Sequence, residues 1–222
     1  MQLAIVVPVL NEAVNIPALA AHLRALIAAD HEVVLVDGGS SDDTVDLARQ
    51  AGLRVIEAAR GRARQMNAGA CATTSPGLLF LHADTCLPKN ACEQVLQALQ
   101  TQTWGRFDVC IDGQARMLRV VAMLMNWRSR LTGIATGDQA MFMTRQAYER
   151  VGGFPDQPLM EDIAMSVALK AISKPLCLRQ HVVTSGRRWE QRGVWRTIFL
   201  MWRLRWAYWL GAKPADLARA YR

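Results

Sequence analysis

Apolar residues in this chain fall either into short unbroken runs or into longer stretches of helical spacing, and the two kinds alternate. Residues 3–10 are a β-rich apolar run bounded by Pro8, Asn11 and Glu12, which predicts a first strand buried on both faces. Over residues 15–29, Ile16, Leu19, Leu23, Leu26 and Ile27 recur at helical spacing, with Pro17 tolerated in the first turn. Residues 33–36 predict a second buried strand, broken by Asp37-Gly38-Gly39-Ser40-Ser41-Asp42-Asp43-Thr44. A helix over 44–51 can be capped by Asp42 or Asp43 and ends at Gly52. Residues 54–57 predict a third strand and 60–72 a third helix. Leu78, Leu79, Phe80 and Leu81 then run straight into His82, Ala83 and Asp84 as a fourth strand. Strand and helix in this alternation predict a doubly wound α/β sheet.

The second half is patterned differently. Residues 104–112 predict another strand, and 116–130 a helix with Leu118, Val121, Leu124, Met125 and Trp127 available for a core face. Its Met and Leu content fits core packing or, alternatively, an adaptable hydrophobic acceptor groove. Gly152-Gly153-Phe154-Pro155 predicts a turn, and Met160-Glu161-Asp162 begins a helix running to residue 171. Over residues 193–210, Trp195, Phe199, Trp202, Trp206 and Trp209 share one helical face flanked by Arg196, Arg203 and Arg205. Such a stripe is either core, a subunit contact, or a helix lying in a membrane interface; it is too short and too charged to span. The chain is accordingly divided into an α/β domain, 1–192, and a basic, Trp-rich helical appendage, 193–222, packed on or near it.

Composition narrows the class. With 222 residues, 51% apolar and 20% charged, the chain is globular and excludes a disordered or fibrous protein. The opening MQLAIVVPVLNE has no basic n-region and turns polar too soon for a secretory signal core or a membrane span. Cys71, Cys86, Cys92, Cys110 and Cys177 form no CxxC pair and are odd in number, which predicts reduced thiols in a cytosolic protein. The net charge of +7 is uneven: residues 179–222 hold ten Lys/Arg against Glu190 and Asp216, while the remainder holds sixteen against seventeen acids. An anionic surface or ligand is therefore expected for the C-terminal segment alone.

Chemistry concentrates at predicted strand ends. Asp37 and Asp84 follow buried strands, at the carboxyl edge where open α/β sheets bind ligands. Asp84 suits a divalent cation and a diphosphate held at that edge. Arg62 and Arg64 open the third helix, either as a solvated basic face or as anion ligands at a helix N-terminus. Glu161 and Asp162 open another helix, where the dipole favours acids whatever their further role.

Six segments add a resemblance. VVPVLNE (6–12), VDGGSSDDT (36–44), GRARQMNAGA (61–70), FLHAD (80–84), GDQAMF (137–142) and GGFPDQPLMED (152–162) occur in order. With them the chain resembles a family 2 glycosyltransferase of the GT-A fold, in particular the small bacterial subgroup associated with radical-SAM and selenium-related domains. The resemblance implies a Rossmann-like mixed sheet with helices on both faces, a nucleotide-sugar donor, and a divalent cation, Mn²⁺ or Mg²⁺. It assigns Pro8, Asn11 and Glu12 to a nucleoside loop, and Asp37 with Gly39 to the base and ribose. The family's acidic pair is here Asp37-Gly38, so the second acid is missing and the base, uracil or guanine, stays open. Arg62 and Arg64 are implied at the diphosphate, with Asn67 and Gly69 against the nucleotide loop. His82-Ala83-Asp84 takes the place of the DxD motif: Asp84 inherits the metal, and His82 binds ribose or simply fills space.

The same resemblance implies that Asp138 and Gln139 lie near donor sugar or acceptor, that Asp162 is the general base, and that Glu161 orients the acceptor or Asp162. Ser185-Gly186-Arg187-Arg188-Trp189 resembles the QxxRW motif of processive members, with Ser185 where Gln would stand. It implies Arg188 at the diphosphate and Trp189 at the acceptor sugar, while the missing Gln argues against processive synthesis. His181, just before it, is expected to pack. The leading expectation is an inverting sugar transferase in the cytoplasm, peripheral on the inner membrane face if the Trp helix lies there, with an acceptor that would then be lipid-linked. A homo-oligomer through the Trp face is the other use of that stripe, and no nucleic acid is expected. A sugar-phosphate nucleotidyltransferase is the alternative enzyme, although the Gly-rich basic loop it uses is absent after the first strand. A non-catalytic module binding membrane or nucleic acid through the basic tail is the third reading.

Overall fold

The computed structural model describes residues 2–221; Met1 and Arg222, the outer bounds of the two expected parts, lie outside the described residues. The strands are β1 (Leu3–Val9), β2 (Glu32–Asp37), β3 (Val55–Glu57), β4 (Gly77–Phe80), β5 (Thr85–Cys86), β6 (Trp104–Asp112), β7 (Phe142–Thr144) and β8 (Leu176–Ser185). The helices are α1 (Ile16–Ala28), α2 (Thr44–Gln50), α3 (Arg62–Cys71), α4 (Ala91–Ala98), α5 (Met117–Thr132), α6 (Arg145–Val151), α7 (Glu161–Lys170), α8 (Arg187–Arg192), α9 (Val194–Trp209) and α10 (Pro214–Tyr221). All strands join one sheet in the order β3-β2-β1-β4-β7-β6-β8-β5. The first four in that order are parallel, β7 runs antiparallel to β4 and β6, β8 is parallel to β6, and β5 is antiparallel to β8. The expected doubly wound mixed sheet is therefore present, and the carboxyl ends of β2, β1 and β4 share one edge.

Two cores explain why the first strands are apolar without interruption. Leu3, Ile5 and Val7 point to one face, against Leu19 and Leu23 of α1, Val95 of α4 and Leu118 of α5. Ala4 and Val6 point to the other, against Ala63 and Met66 of α3 and Met165 of α7. A strand covered on both sides must be apolar at odd and even positions alike. Gly69 lets α3 lie close: an added Cβ there would stand 2.3 Å from Val6 Cγ1 and 2.9 Å from Val36 Cγ2.

Helix α5 departs from expectation. Leu118, Val121 and Ala122 are buried and Met125 is partly buried, but Leu124 and Trp127 are exposed. Residues 118, 121, 122 and 125 form one stripe at three- and four-residue spacing, and 124 and 127 fall on the opposite one. A buried ion cluster holds this helix to the sheet. Arg106, fully buried in β6, donates to Asp108, which also receives Arg130 of α5. Asn126 pairs with both backbone groups of Val109 at 2.8 and 2.9 Å, as a neighbouring strand would.

The C-terminal helices share a small core with the start of α7. Leu204 of α9 and Leu217 of α10 pack with Met160, the residue before α7, and Tyr208 lies partly buried beside them. The tryptophan stripe does not contribute: Trp195, Trp202, Trp206 and Trp209 are all exposed, which removes the core reading of that face.

Candidate functional site

The loops after β1 and β2 are stitched together before any ligand is considered. Asn11 takes a left-handed conformation (φ 53°), its N–H donates to Ser40 Oγ at 2.9 Å, and its Oδ1 accepts from Ser41 N at 2.8 Å. Glu12 N donates to Thr44 Oγ1 at 2.8 Å, and Asp42 accepts from Ala13 N and Thr44 N. Asp37 is buried and accepts from Gly39 N at 2.8 Å and Ser40 N at 3.0 Å, so it builds its own turn, with Gly39 at φ +85°. Pro8 is a β1 residue opposite Val36. Beneath them Gln65 of α3, which no motif reading singled out, donates to Val9 O and Val36 O, 2.8 Å each. One amide thereby clamps the ends of β1 and β2. A buried Gln in a helix otherwise facing a sheet was the available signal, since a buried amide must find partners.

Around the end of β4 the acids and bases converge. Arg62, His82, Gly137, Glu161 and Asp162 line one small cavity together with Met66, Phe80, Met141 and Phe154. Arg62 Nη1 lies 3.5 Å from Glu161 Oε1, and Glu161 is buried. His82 Nδ1 lies 3.1 Å from Asp138 Oδ1. Gly137 N donates to Asp162 Oδ2 at 2.9 Å. Gly137 has no room for a side chain, because a Cβ would stand 2.2 Å from His82 Nε2, an atom with no hydrogen-bond partner among the described residues. Met160, left-handed at φ 66°, turns the chain so that α7 starts with its two acids at this point.

Charges here shift one another. Burial pushes the Glu161 carboxyl up, the neighbouring Asp162 charge adds to that, and Arg62 opposes both. For Asp138, burial alone would raise the carboxyl, but the His82 hydrogen bond and the charges of His82, Arg62 and Arg188 hold it below the usual range. Burial lowers Arg128 of α5 to about 10, with Arg205 of α9 pushing the same way and Asp162 opposing. The site is thus ringed by arginines from four helices.

Asp84 stands four residues beyond Phe80, the last residue of β4. Its carboxylate receives one long bond, 3.4 Å from Thr85 Oγ1, and its backbone carbonyl accepts from Ser185 N at 3.2 Å. Among the described residues no group of three or more His, Cys, Asp or Glu side chains is placed to hold a metal ion. A single, nearly uncommitted carboxylate fits a cation whose other ligands are phosphate oxygens and water, the way Mg²⁺ is commonly held. The segment after β8 reaches the same edge, where Arg187 Nη2 lies 3.9 Å from Glu12 Oε2. Arg188 lies over the Tyr221 ring, 3.8 Å from its centroid, and also donates to the Tyr221 hydroxyl.

Four of the expected contact residues have partners within the protein. Arg64 pairs with Asp156 at 2.8 Å on the surface, because residues two apart on a helix diverge and only Arg62 points inward. Asn67 is a latch: its Nδ2 donates to Phe154 O at 2.8 Å, and its Oδ1 accepts from Tyr148 Oη and Phe154 N. Gln139 is fully buried and closes a capping box with Thr136. Trp189 is partly buried and packs against the core on the α5 side of the sheet.

Known proteins resemble this arrangement. The family model described as Glycosyl transferase family 2 matches residues 4–152, more than half of the chain. A PGL/p-HBAD biosynthesis glycosyltransferase of Mycobacterium bovis (strain BCG / Pasteur 1173P2) is 38% identical over 91 residues, covering 38% of this chain and 36% of that protein. The matched stretch is thus about a third of the length of that curated relative. An uncharacterized glycosyltransferase of Mycobacterium bovis (strain ATCC BAA-935 / AF2122/97) is 31% identical over 132 residues, 57% of this chain and 58% of that one. Among solved structures, the mannosyltransferase PcManGT from Pyrobaculum calidifontis in complex with GDP-Man and Mn²⁺ superposes with a TM-score of 0.67 at 21% identity. It covers 99% of this chain and 68% of its own. Glucosyl-3-phosphoglycerate synthase from Mycobacterium tuberculosis, solved with Mn²⁺, UDP and glucosyl-3-phosphoglycerate, gives 0.60 at 17% identity, 83% of this chain and 70% of that. These likenesses establish the GT-A fold.

Proposed function

The chain belongs to glycosyl transferase family 2, a family of glycosyltransferases, and on that premise we propose that it moves a sugar from a nucleotide diphosphate to an acceptor hydroxyl with inversion. The observation that carries this reading is the meeting of Arg62, His82, Glu161 and Asp162 at one cavity beyond the carboxyl end of β4, with His82 two residues before Asp84 and its nearly uncommitted carboxylate. Solved neighbours of the same fold hold GDP-Man, UDP-GlcNAc or UDP, and two of them Mn²⁺. The donor here is accordingly a GDP- or UDP-sugar, and the subgroup associated with radical-SAM and selenium-related domains is the finer assignment.

In the proposed step Asp162 takes the proton of the acceptor hydroxyl as that oxygen bonds to the anomeric carbon. The bond from that carbon to the diphosphate breaks on the opposite face, and its electron pair leaves on the diphosphate oxygen. Arg62 stands ready to neutralise that charge, with Arg188 as the second cation on the same side. Asp84 would hold a divalent cation, which would supply further positive charge to the diphosphate. Glu161, paired with Arg62, holds that arginine and keeps the floor of the cavity polar. His82 and Asp138 position the turn at Gly137, and with it Asp162.

Thermal unfolding with a panel of nucleotide-sugars, each with and without Mn²⁺, tests the reading. Stabilisation by a UDP- or GDP-sugar that requires Mn²⁺ is expected. Stabilisation instead by a nucleoside triphosphate together with a sugar phosphate would replace transfer with nucleotidyl chemistry.

A further inference from the structure

The transfer reaction leaves one large surface unused. Trp195, Phe199, Trp202, Trp206 and Trp209 stand three or four residues apart along α9, and each is at least 60% exposed. The buried positions of the same helix, Thr197 and Leu204, lie on its opposite side, so the aromatic stripe faces away from the protein. Helix α5 repeats the design, with Met123, Leu124, Trp127 and Leu131 exposed opposite its core face. Val194 and Ile198 of α9 pack against the same large core that Leu118, Val121 and Ala122 of α5 enter, and Arg205 of α9 stands near enough to Arg128 of α5 for their charges to interact. Exposed apolar surface of this kind marks an interaction site.

Charge selects the occupant. Between residues 191 and 215 stand Arg192, Arg196, Arg203, Arg205 and Lys213, and no acid at all. Arg192, Arg196 and Arg203 line a groove of about 630 Å³ shared with Thr197, Leu200 and Tyr221. Two copies of this chain meeting through the stripe would oppose these cations to one another. A phospholipid surface instead offers hydrocarbon to the indole rings and phosphate to the guanidinium groups at the depth each prefers. Among the described residues no helix is long and apolar enough to cross a membrane, so contact is in the plane of the surface. We propose that the outward face of α9, extended by that of α5, docks on an anionic phospholipid bilayer, with a lipid phosphate seated in the arginine groove beside it. The inner side of α9 packs on Met160, next to Glu161 and Asp162, so docking brings the bilayer to within about one helix diameter, ~10 Å, of the proposed base.

Flotation of the full chain with vesicles tests this, using phosphatidylcholine alone and phosphatidylcholine with about a quarter phosphatidylglycerol. Partition is expected to be at least about tenfold higher on the anionic vesicles, to weaken as salt is raised, and to shift tryptophan emission to the blue. The double substitution Trp202→Ser, Trp206→Ser should lower partition about tenfold on both vesicle types. The pair Arg196→Gln, Arg203→Gln should remove the preference for anionic lipid. Circular dichroism and thermal unfolding of both variants should match the parent, since every altered side chain is exposed. Absence of anionic-vesicle binding, binding untouched by the tryptophan pair, or a concentration-dependent dimer that alone accounts for the blue shift would each overturn the proposal. No nucleotide is present in the experiment, so its failure would leave the transferase reading standing.

Discussion

Gly137 donates its backbone N–H to Asp162 Oδ2 at 2.9 Å, which ties the acid at the start of α7 to the turn that carries Asp138. The other oxygen, Oδ1, accepts from Ile163 N at 2.8 Å. The carboxylate is therefore held in place before any acceptor arrives, as a positioned base should be. Asp162→Asn keeps a carbonyl oxygen for Gly137 and loses the ability to take a proton. Turnover should fall by about 10²–10⁴-fold with nucleotide-sugar affinity unchanged. Steady-state kinetics beside a direct binding titration decide it, and parental turnover in the variant would strip Asp162 of the role.

Asp84 makes a different prediction, because little of the fold depends on its side chain. Its one bond is the 3.4 Å contact from Thr85, and Thr85 has a better partner in Thr184 at 3.0 Å. Asp84→Ala should leave the unfolding midpoint in buffer near that of the parent and abolish the Mn²⁺-dependent part of nucleotide binding. If the parent binds nucleotide equally with and without Mn²⁺, the cation has no place in the reaction.

Much of this was legible from the sequence for one physical reason. Strands covered on both faces write continuous apolar runs, so the succession of β1 to β4 along the chain and the placing of Asp37 and Asp84 just past strand ends could be inferred without coordinates. What stayed hidden lies where polar groups fold inward. Gln65 and Asn67 resemble surface residues of a helix, yet one clamps two strand ends and the other latches α3 to the turn at Phe154. Arg106 and Asp108 alternate in a strand as solvent-facing residues would, and are instead a buried ion cluster capped by Arg130. Short elements such as α6 and β7 were equally silent, since seven or three residues carry too little periodicity to register. On α5 the exposed Leu124 and Trp127 differ from the expected core face, and on α9 the alternatives stayed open, because a helix apolar on two faces does not say which face is inside.

Glu161 predicts a pH dependence of stability. Burial and the Asp162 charge raise its carboxyl above the ordinary 4.5, against the pull of Arg62. A raised folded value means the folded state holds the proton longer than the unfolded one. The associated stability is complete below about 4.5 and is lost as pH rises through the folded value. Glu161→Gln, neutral throughout, should therefore gain on the parent as pH climbs from about 4.5 toward neutrality. Urea midpoints across that range check it, and a gap that stays constant or moves the other way would contradict the assigned environment.

Gly69 tests the packing that aims the site. A methyl added at this position would lie 2.3 Å from Val6 Cγ1 and 2.9 Å from Val36 Cγ2, inside any permitted contact, so α3 or the strands must move. Overpacking of this kind costs about 1–3 kcal/mol. Gly69→Ala should lower the unfolding free energy by that amount, read as a lower denaturant midpoint at unchanged slope, and should weaken nucleotide binding, because Arg62 and Gln65 ride on the displaced helix. Val6→Ala removes the methyl groups that obstruct. If collision with Val6 is the cause, the double variant Val6→Ala, Gly69→Ala should be less destabilised than the sum of the two single changes. Simple additivity would mean that Gly69 acts through helix propensity or the unfolded chain, and that the close approach of α3 to β1 is not what sets the position of Arg62.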